Sequence, residues 1–278
     1  VQPFKPAHRG IPTRTAQRHY TRLLPGVYLD PAAPVTALAK AHAAWLWADG
    51  ACVLSGLSAA AAHGTRWLPS DAPAEVAVDR IVRVRGLVAH RDRIHPCHIT
   101  ERLGMQVTSP ARTAFDLARR HETESAIQHI DALCRATDLA PANLLGLAST
   151  LRATPGAARL RALAGLVDPG AESPRETELR LLLLRAGLPR AVTQYVVRDA
   201  RGRFIGRTDL AWPRWKVAVE YEGSHHFTDP EQARRDAERG NRLLRAGWRV
   251  VRITGPMMRR PDLVVEEVRA ALRAAGGC

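Results

Sequence analysis

The chain has 278 residues, 46% of them hydrophobic, and 41 Lys+Arg against 27 Asp+Glu give it a formal net charge of +14. That length suffices for two ordinary domains with apolar cores. Four scattered cysteines (Cys52, Cys97, Cys134, Cys278) with no CxxC pair exclude a disulfide scaffold and a finger-type zinc site, and they fit a reducing, cytoplasmic setting.

In chain order, the first thirty residues are basic and interrupted by prolines, and YTRLLPGVY (20–28) reads as a short strand or turn entering a domain. Residues 35–48 have the apolar spacing of a helix, and Ser55 to His63 is an Ala-rich helix closed by Gly64. The period then changes. Residues 75–78, 81–85 and 87–90 read as short strands separated by turns. Pro110 opens a helix through about Arg120, and further helical segments are expected from Glu122 through Cys134 and from Ala142 to about Leu166. A composition shift at VDPGA (167–171) marks a linker, which predicts an α+β module over 1–166 and a second domain over 167–278.

The second domain reads as αβββαβα. Ser173 caps a helix whose N3 residue is Glu176 and whose first turn holds Pro174; that helix runs to Ala186. Extended segments follow at 192–198, 204–212 and 216–221, then a charged helix at 230–246, a strand at 249–253 and a last helix at 262–274. Such an order predicts a mixed central sheet flanked by helices. No run of 18 apolar residues occurs, so no membrane span is expected, and the first residues lack the apolar stretch of a signal peptide.

Charge is spread over both halves, +8 in residues 1–165 and +6 in residues 166–278. Only Lys5, Lys40 and Lys216 are lysines, and so strong an arginine bias fits a GC-rich coding background as well as a function. The field is positive in either case and attracts polyanions, nucleic acid among them. Arg83 and Arg85, on one face of the expected 81–85 strand, suit a sugar-phosphate backbone, as do Arg239 and Arg242 on the charged helix. Solvated surface is the plainer reading of both pairs.

Four carboxylates stand out: Glu176, Asp209, Glu220 and Glu222. The two-residue strand period puts Glu220 and Glu222 on one face, and the apolar run Val217–Val219 implies burial beside them. Neighbouring buried carboxylates repel and lose hydration, so something must neutralise them. A divalent cation such as Mg²⁺ or Mn²⁺ is one solution, since hard cations take carboxylate oxygens. Arginines are the other, with Arg207, Arg234, Arg235 and Arg239 at hand.

Three ordered segments, ESPRETELRLLLLRAGLP, GRFIGRTDLAWPRWKVAVEYEGSHH and RRDAERGNRLLRAGWRVVRIT, resemble the DUF559 family. That family is related to the very-short-patch-repair mismatch endonucleases of the PD-(D/E)xK superfamily. The resemblance covers about 90 residues and implies a restriction-endonuclease-like α/β domain. It further implies Mg²⁺-dependent (or Mn²⁺-dependent) hydrolysis of a DNA phosphodiester. Glu176, Asp209 and Glu220 would hold the metal, with Glu222 and His226 assisting and His225 beside the DNA. Glu222 stands where the wider superfamily has a lysine, and a carboxylate cannot stabilise a developing phosphorane as an ammonium would. Over residues 20–117, LLPGVYLD, VLSGLSAAAAHG and TSPARTAFDLARR resemble the AbiEi antitoxin and transcriptional-regulator family. About 19 residues precede Tyr20, too few for a complete winged helix. This second resemblance implies the alternative reading, a non-catalytic DNA-binding regulator of a toxin–antitoxin or phage-defence system with a partner toxin. The sequence leaves the oligomeric state open.

Overall fold

The computed structural model describes residues 2–80, 82–223 and 230–277. The chain divides into two compact units, Val1–Pro169 and Gly170–Cys278. Both are mixed α/β, with three sheets among the described residues. None of the described helices is long and apolar enough to cross a membrane.

The first unit begins with a short helix, α1 (Thr13–His19), and a hairpin of β1 (Thr21–Leu24) and β2 (Val27–Leu29) turning at Pro25-Gly26. Next come α2 (Ala37–Trp47), β3 (Val53–Leu54), α3 (Gly56–Ala62), β4 (Ala74–Ala77) and β5 (Leu87–His90). A second hairpin joins β6 (Ile99–Arg102) to β7 (Met105–Thr108). Its turn residues Leu103 and Gly104 both have positive φ, 54° and 73°, the backbone twist that two-residue hairpin turns require. The five strands β3–β7 form one sheet in the order β5-β4-β3-β7-β6. Its core is built largely from alanines, Ala41, Ala43, Ala44, Ala59 and Ala62, together with Leu54, Val76, Met105 and Val107. Small side chains let α2 and α3 lie close to the strands.

Four helices complete the unit: α4 (Pro110–Arg120), α5 (Thr123–Thr137), α6 (Pro141–Thr150) and α7 (Ala157–Ala164). Ser109 caps α4, its Oγ accepting the Arg112 N–H at 3.4 Å, and Pro110 fills the first helical position. The helical stretch expected over 142–166 is broken at 151–156. There Pro155 interrupts the helix and Gly156 adopts a φ of +103° against the Arg119 side chain. The strand expected over 81–85 is absent among the described residues; Val84 makes only an isolated bridge to Leu87. The cause is topological. Strands β4 and β5 run parallel, so the segment between them must carry the chain back to the start of the sheet.

The second unit contains α8 (Pro174–Arg185), β8 (Val192–Arg198), β9 (Phe204–Trp212), β10 (Val217–Glu222), α9 (Pro230–Arg245), β11 (Arg249–Thr254) and α10 (Pro261–Ala274). The sheet order is β11-β10-β9-β8, with β8–β9 and β9–β10 antiparallel and β10–β11 parallel across α9. Side chains alternate across β10. Val217 and Val219 pack with Leu179 and Leu183 of α8 and Val264, Val268 and Leu272 of α10, whereas Ala218 packs with Leu243 of α9 and with Trp248. A mixed sheet thus lies between α8 and α10 on one face and α9 on the other, as the order of elements predicts.

Candidate functional site

Glu220 continues the α9-facing register of Ala218, and strand alternation along β9 places Asp209 on that face with Ile205 and Ala211. Backbone pairing between β9 and β10 ends at Leu210↔Val219. Just beyond it the Asp209 Oδ2 accepts the Tyr221 N–H at 2.8 Å, a side chain taking over from the ladder. Burial pushes the Asp209 carboxyl up to about 6, and the charges of Glu176 and Glu220 push the same way, against the Tyr221 hydrogen bond and Arg239. Asp209 is therefore close enough to Glu176 and Glu220 for their charges to oppose its ionisation.

Each neighbour has its own compensation. Glu220 is 7% exposed, and Arg239 of α9 holds it with both arms of the guanidinium, Nη1 to Oε1 at 2.8 Å and Nη2 to Oε2 at 2.9 Å. This forked geometry gives the carboxylate two charge-assisted hydrogen bonds, each roughly twice as strong as one between neutral groups. Gly206 is what lets the arginine approach, because a Cβ there would meet the Arg239 Cδ at 3.1 Å. Glu176 caps its own helix: Ser173 Oγ accepts the Glu176 N–H, and the Glu176 carboxylate accepts from Ser173 Oγ, the Glu172 N–H and Gln194 Nε2. The expected capping arrangement is present, reinforced by Gln194 from β8, which sits at φ +49°. Glu222 pairs with Arg252 Nε at 3.2 Å.

Of the four arginines offered by the sequence, Arg239 is the one seen on these acids among the described residues. Arg207 pairs with Glu172, Arg234 with Glu238 and Arg235 with Glu231. Arg252 reaches Glu222 across the β10–β11 pairing and Gln194 reaches Glu176 from β8 to α8, and no local spacing reveals either contact. Both oxygens of Glu220 and both of Glu176 are committed to donors, so this arrangement does not fit a divalent cation unless Arg239 releases Glu220. Among the described residues no group of three or more His, Cys, Asp or Glu side chains is gathered to hold a metal. His225 and His226 lie outside the described residues. Arg242 is exposed on α9, and Arg83 and Arg85 are exposed but sit in the return segment between β4 and β5, not on a shared strand face.

The first unit holds a second polar centre, buried under α4. The Glu75 carboxylate accepts the Leu57 N–H at 3.0 Å, lies 2.9 Å from His90 Nε2, and takes Arg120 Nη1 at 3.0 Å. Burial pushes the Glu75 carboxyl up, but the His90 and Leu57 hydrogen bonds and the Arg120 charge outweigh it and hold the group below its ordinary value. Arg120 also reaches Ser55 Oγ and Asp92, and Arg119 pairs with Asp92 and with Asp116. Arg112 Nε reaches Asp116 Oδ1 at 3.2 Å, the i,i+4 pair its spacing on the helix predicts. Gly56 (φ +51°) is required here, since a Cβ would come within 2.4 Å of the Glu75 carboxylate. The sequence signals for this centre are a lone glutamate in the apolar run AEVAV and two adjacent arginines closing α4.

Residues 42–166, from within α2 to just past α7, match the model of the AbiEi antitoxin C-terminal domain, so this stretch is AbiEi-like. Two uncharacterized proteins of Mycobacterium tuberculosis, from strains CDC 1551 and H37Rv, are each 32% identical to this chain over 157 residues. The similarity covers 56% of this chain and 58% of each relative, so the chain spans less than two thirds of the length of the proteins it resembles. No solved structure matches the chain.

Proposed function

We propose that the protein is a non-catalytic, DNA-binding regulator of the toxin–antitoxin kind, whose second unit keeps a restriction-endonuclease-like form without turning over a phosphodiester. The observation that carries this reading is the Arg239 fork on Glu220. Where the DUF559 resemblance puts a metal ligand, a cation of the chain itself already balances the charge. The AbiEi-like match of the first unit points the same way, and the net charge of +14 supplies sequence-independent attraction to DNA. On this reading the first unit also meets a partner protein, as the antitoxin resemblance implies. Gel-shift titration of duplex DNA at several salt concentrations, with and without EDTA, tests it. Binding that falls steeply with salt and ignores EDTA supports the regulator; no binding to any duplex refutes it.

One observation favours a second reading, metal-dependent DNA hydrolysis. Burial, with the charges of Glu176 and Glu220 added to it, holds the Asp209 carboxyl at about 6, and an acid so displaced is a frequent mark of sites built for chemistry. Plasmid cleavage in Mg²⁺ or Mn²⁺ that is abolished by Asp209→Ala supports this reading against the first.

A further inference from the structure

A surface of the second unit away from the acids carries a separate feature. Between the β8–β9 turn and the C-terminal end of α9 lies an open cleft of ≈ 1130 Å³. Its floor includes Tyr195 and Trp248, whose rings lie 5.5 Å apart at 35°. Arg198, Arg201, Arg203, Lys216, Arg242 and Arg245 line it, with Asp199 as the only acid among the described residues. That acid is spent locally: its carboxylate takes the Arg201 and Arg203 N–H groups and the Arg203 guanidinium. Arg198 is turned to the Gly202 carbonyl and Lys216 to the Ala246 carbonyl. The guanidinium groups of Arg201, Arg242 and Arg245 have no hydrogen-bond or ion-pair partner among the described residues.

Cations gathered round a single occupied carboxylate repel one another, and a polyanion relieves that repulsion. Phosphates alone would account for the arginines. They do not account for Phe204, a cleft-lining side chain that is 59% exposed at the start of β9. Against a duplex, whose bases are stacked inward, an exposed phenyl ring among arginines can act only as a wedge that must first unstack a base step. It is useful against an unpaired base, which offers a face for stacking regardless of sequence. We propose that this cleft binds single-stranded DNA, with phosphates on Arg201, Arg242 and Arg245 and a base stacked on Phe204. The proposal rests on the DNA-binding reading above and adds to it the strand form and the residues that recognise it.

The test is fluorescence anisotropy of the full-length chain with a labelled 20-nucleotide single strand, the corresponding duplex and an RNA of the same sequence. Phe204→Ala is expected to weaken single-strand binding roughly tenfold, from the usual worth of one stacked base, and to leave duplex binding unchanged. The triple variant Arg201→Ala, Arg242→Ala, Arg245→Ala is expected to reduce the salt slope for the single strand by about 2, since each phosphate contact on a single strand contributes about 0.7. All four side chains are exposed, and an unchanged thermal midpoint verifies that the variants fold. Single-strand binding that ignores both variants overturns the proposal, as does an equal loss for duplex with Phe204→Ala, or tighter binding of the RNA. Duplex binding without cleft-dependent single-strand binding defeats this proposal alone. Failure to bind any DNA defeats it together with the regulator reading.

Discussion

Replacing Asp209 by asparagine is expected to stabilise the second unit at neutral pH, although it removes a charge from the site that resembles a catalytic centre. The carboxyl has an ordinary value of 3.8 and is held at about 6 in the fold. Between those values the native state binds more protons than the unfolded chain, so this group's contribution falls as pH rises through the window and is fully lost above about 6. At roughly 1.4 kcal/mol per unit, a shift of this size is worth about 2–3 kcal/mol, the lower end being appropriate because Asp209 is only partly buried. Asparagine keeps an oxygen for the Tyr221 N–H and carries no charge for Glu176 and Glu220 to oppose. Urea denaturation of both proteins in EDTA at pH 4, 6 and 7.5 measures the effect. Asp209→Asn gains about 2 kcal/mol over wild type at pH 7.5, and the advantage shrinks toward zero at pH 4. A difference that is flat with pH, or a variant that loses stability as pH rises, refutes the reasoning that Asp209 is a crowded, burdened carboxylate.

Arg239→Ala leaves Glu220 buried without its counter-charge and is expected to cost about 3 kcal/mol at pH 7.5; chemical denaturation of the two proteins checks it. Gly56→Ala forces a left-handed alanine against the Glu75 carboxylate and displaces a buried ion-pair network, so the first unit loses about 4 kcal/mol, read as an early transition in the thermal melt. Burial pushes His129 down to about 4, and the facing charge of His121 adds to this against the opposing pull of Glu75. The stability that a neutral His129 allows is present above pH 6.5 and lost as pH falls toward 4. His129→Gln is accordingly expected to flatten the acid limb of the first unit's stability profile, with about 2 kcal/mol of pH dependence removed.

Elements whose signal is local were legible in the sequence. The apolar period of α2, the Pro110 start of α4, the Ser173–Glu176 cap and the two-residue period of β10 all specify their structure within a few residues. Two-residue β3 and the β6–β7 hairpin carry too little pattern to be read, and α1 hides in a proline-rich, basic stretch. The 81–85 segment alternates like a strand, yet the parallel pairing on either side of it decides its path. The acids show the same division. Glu220 and Glu222 are identifiable from spacing, and so is the need for a counter-charge. Which arginine answers is a matter of tertiary register: Arg239 crosses from α9 and Arg252 from β11, whereas Arg234 and Arg235, as near in sequence, pair along their own helix. The Glu75 centre joins residues up to 65 apart, so its separate signals, a lone glutamate in an apolar run and two arginines closing α4, do not reveal that they meet.

The most direct test of the regulator reading is incubation of supercoiled plasmid with the full-length chain in Mg²⁺, Mn²⁺ or EDTA, with each reaction run as a gel shift and again after removal of the protein. The account predicts a retarded complex of equal strength in all three conditions and supercoiled plasmid recovered intact from each. Nicked or linear plasmid formed with Mg²⁺ or Mn²⁺, absent with EDTA and absent with Asp209→Ala, would contradict it.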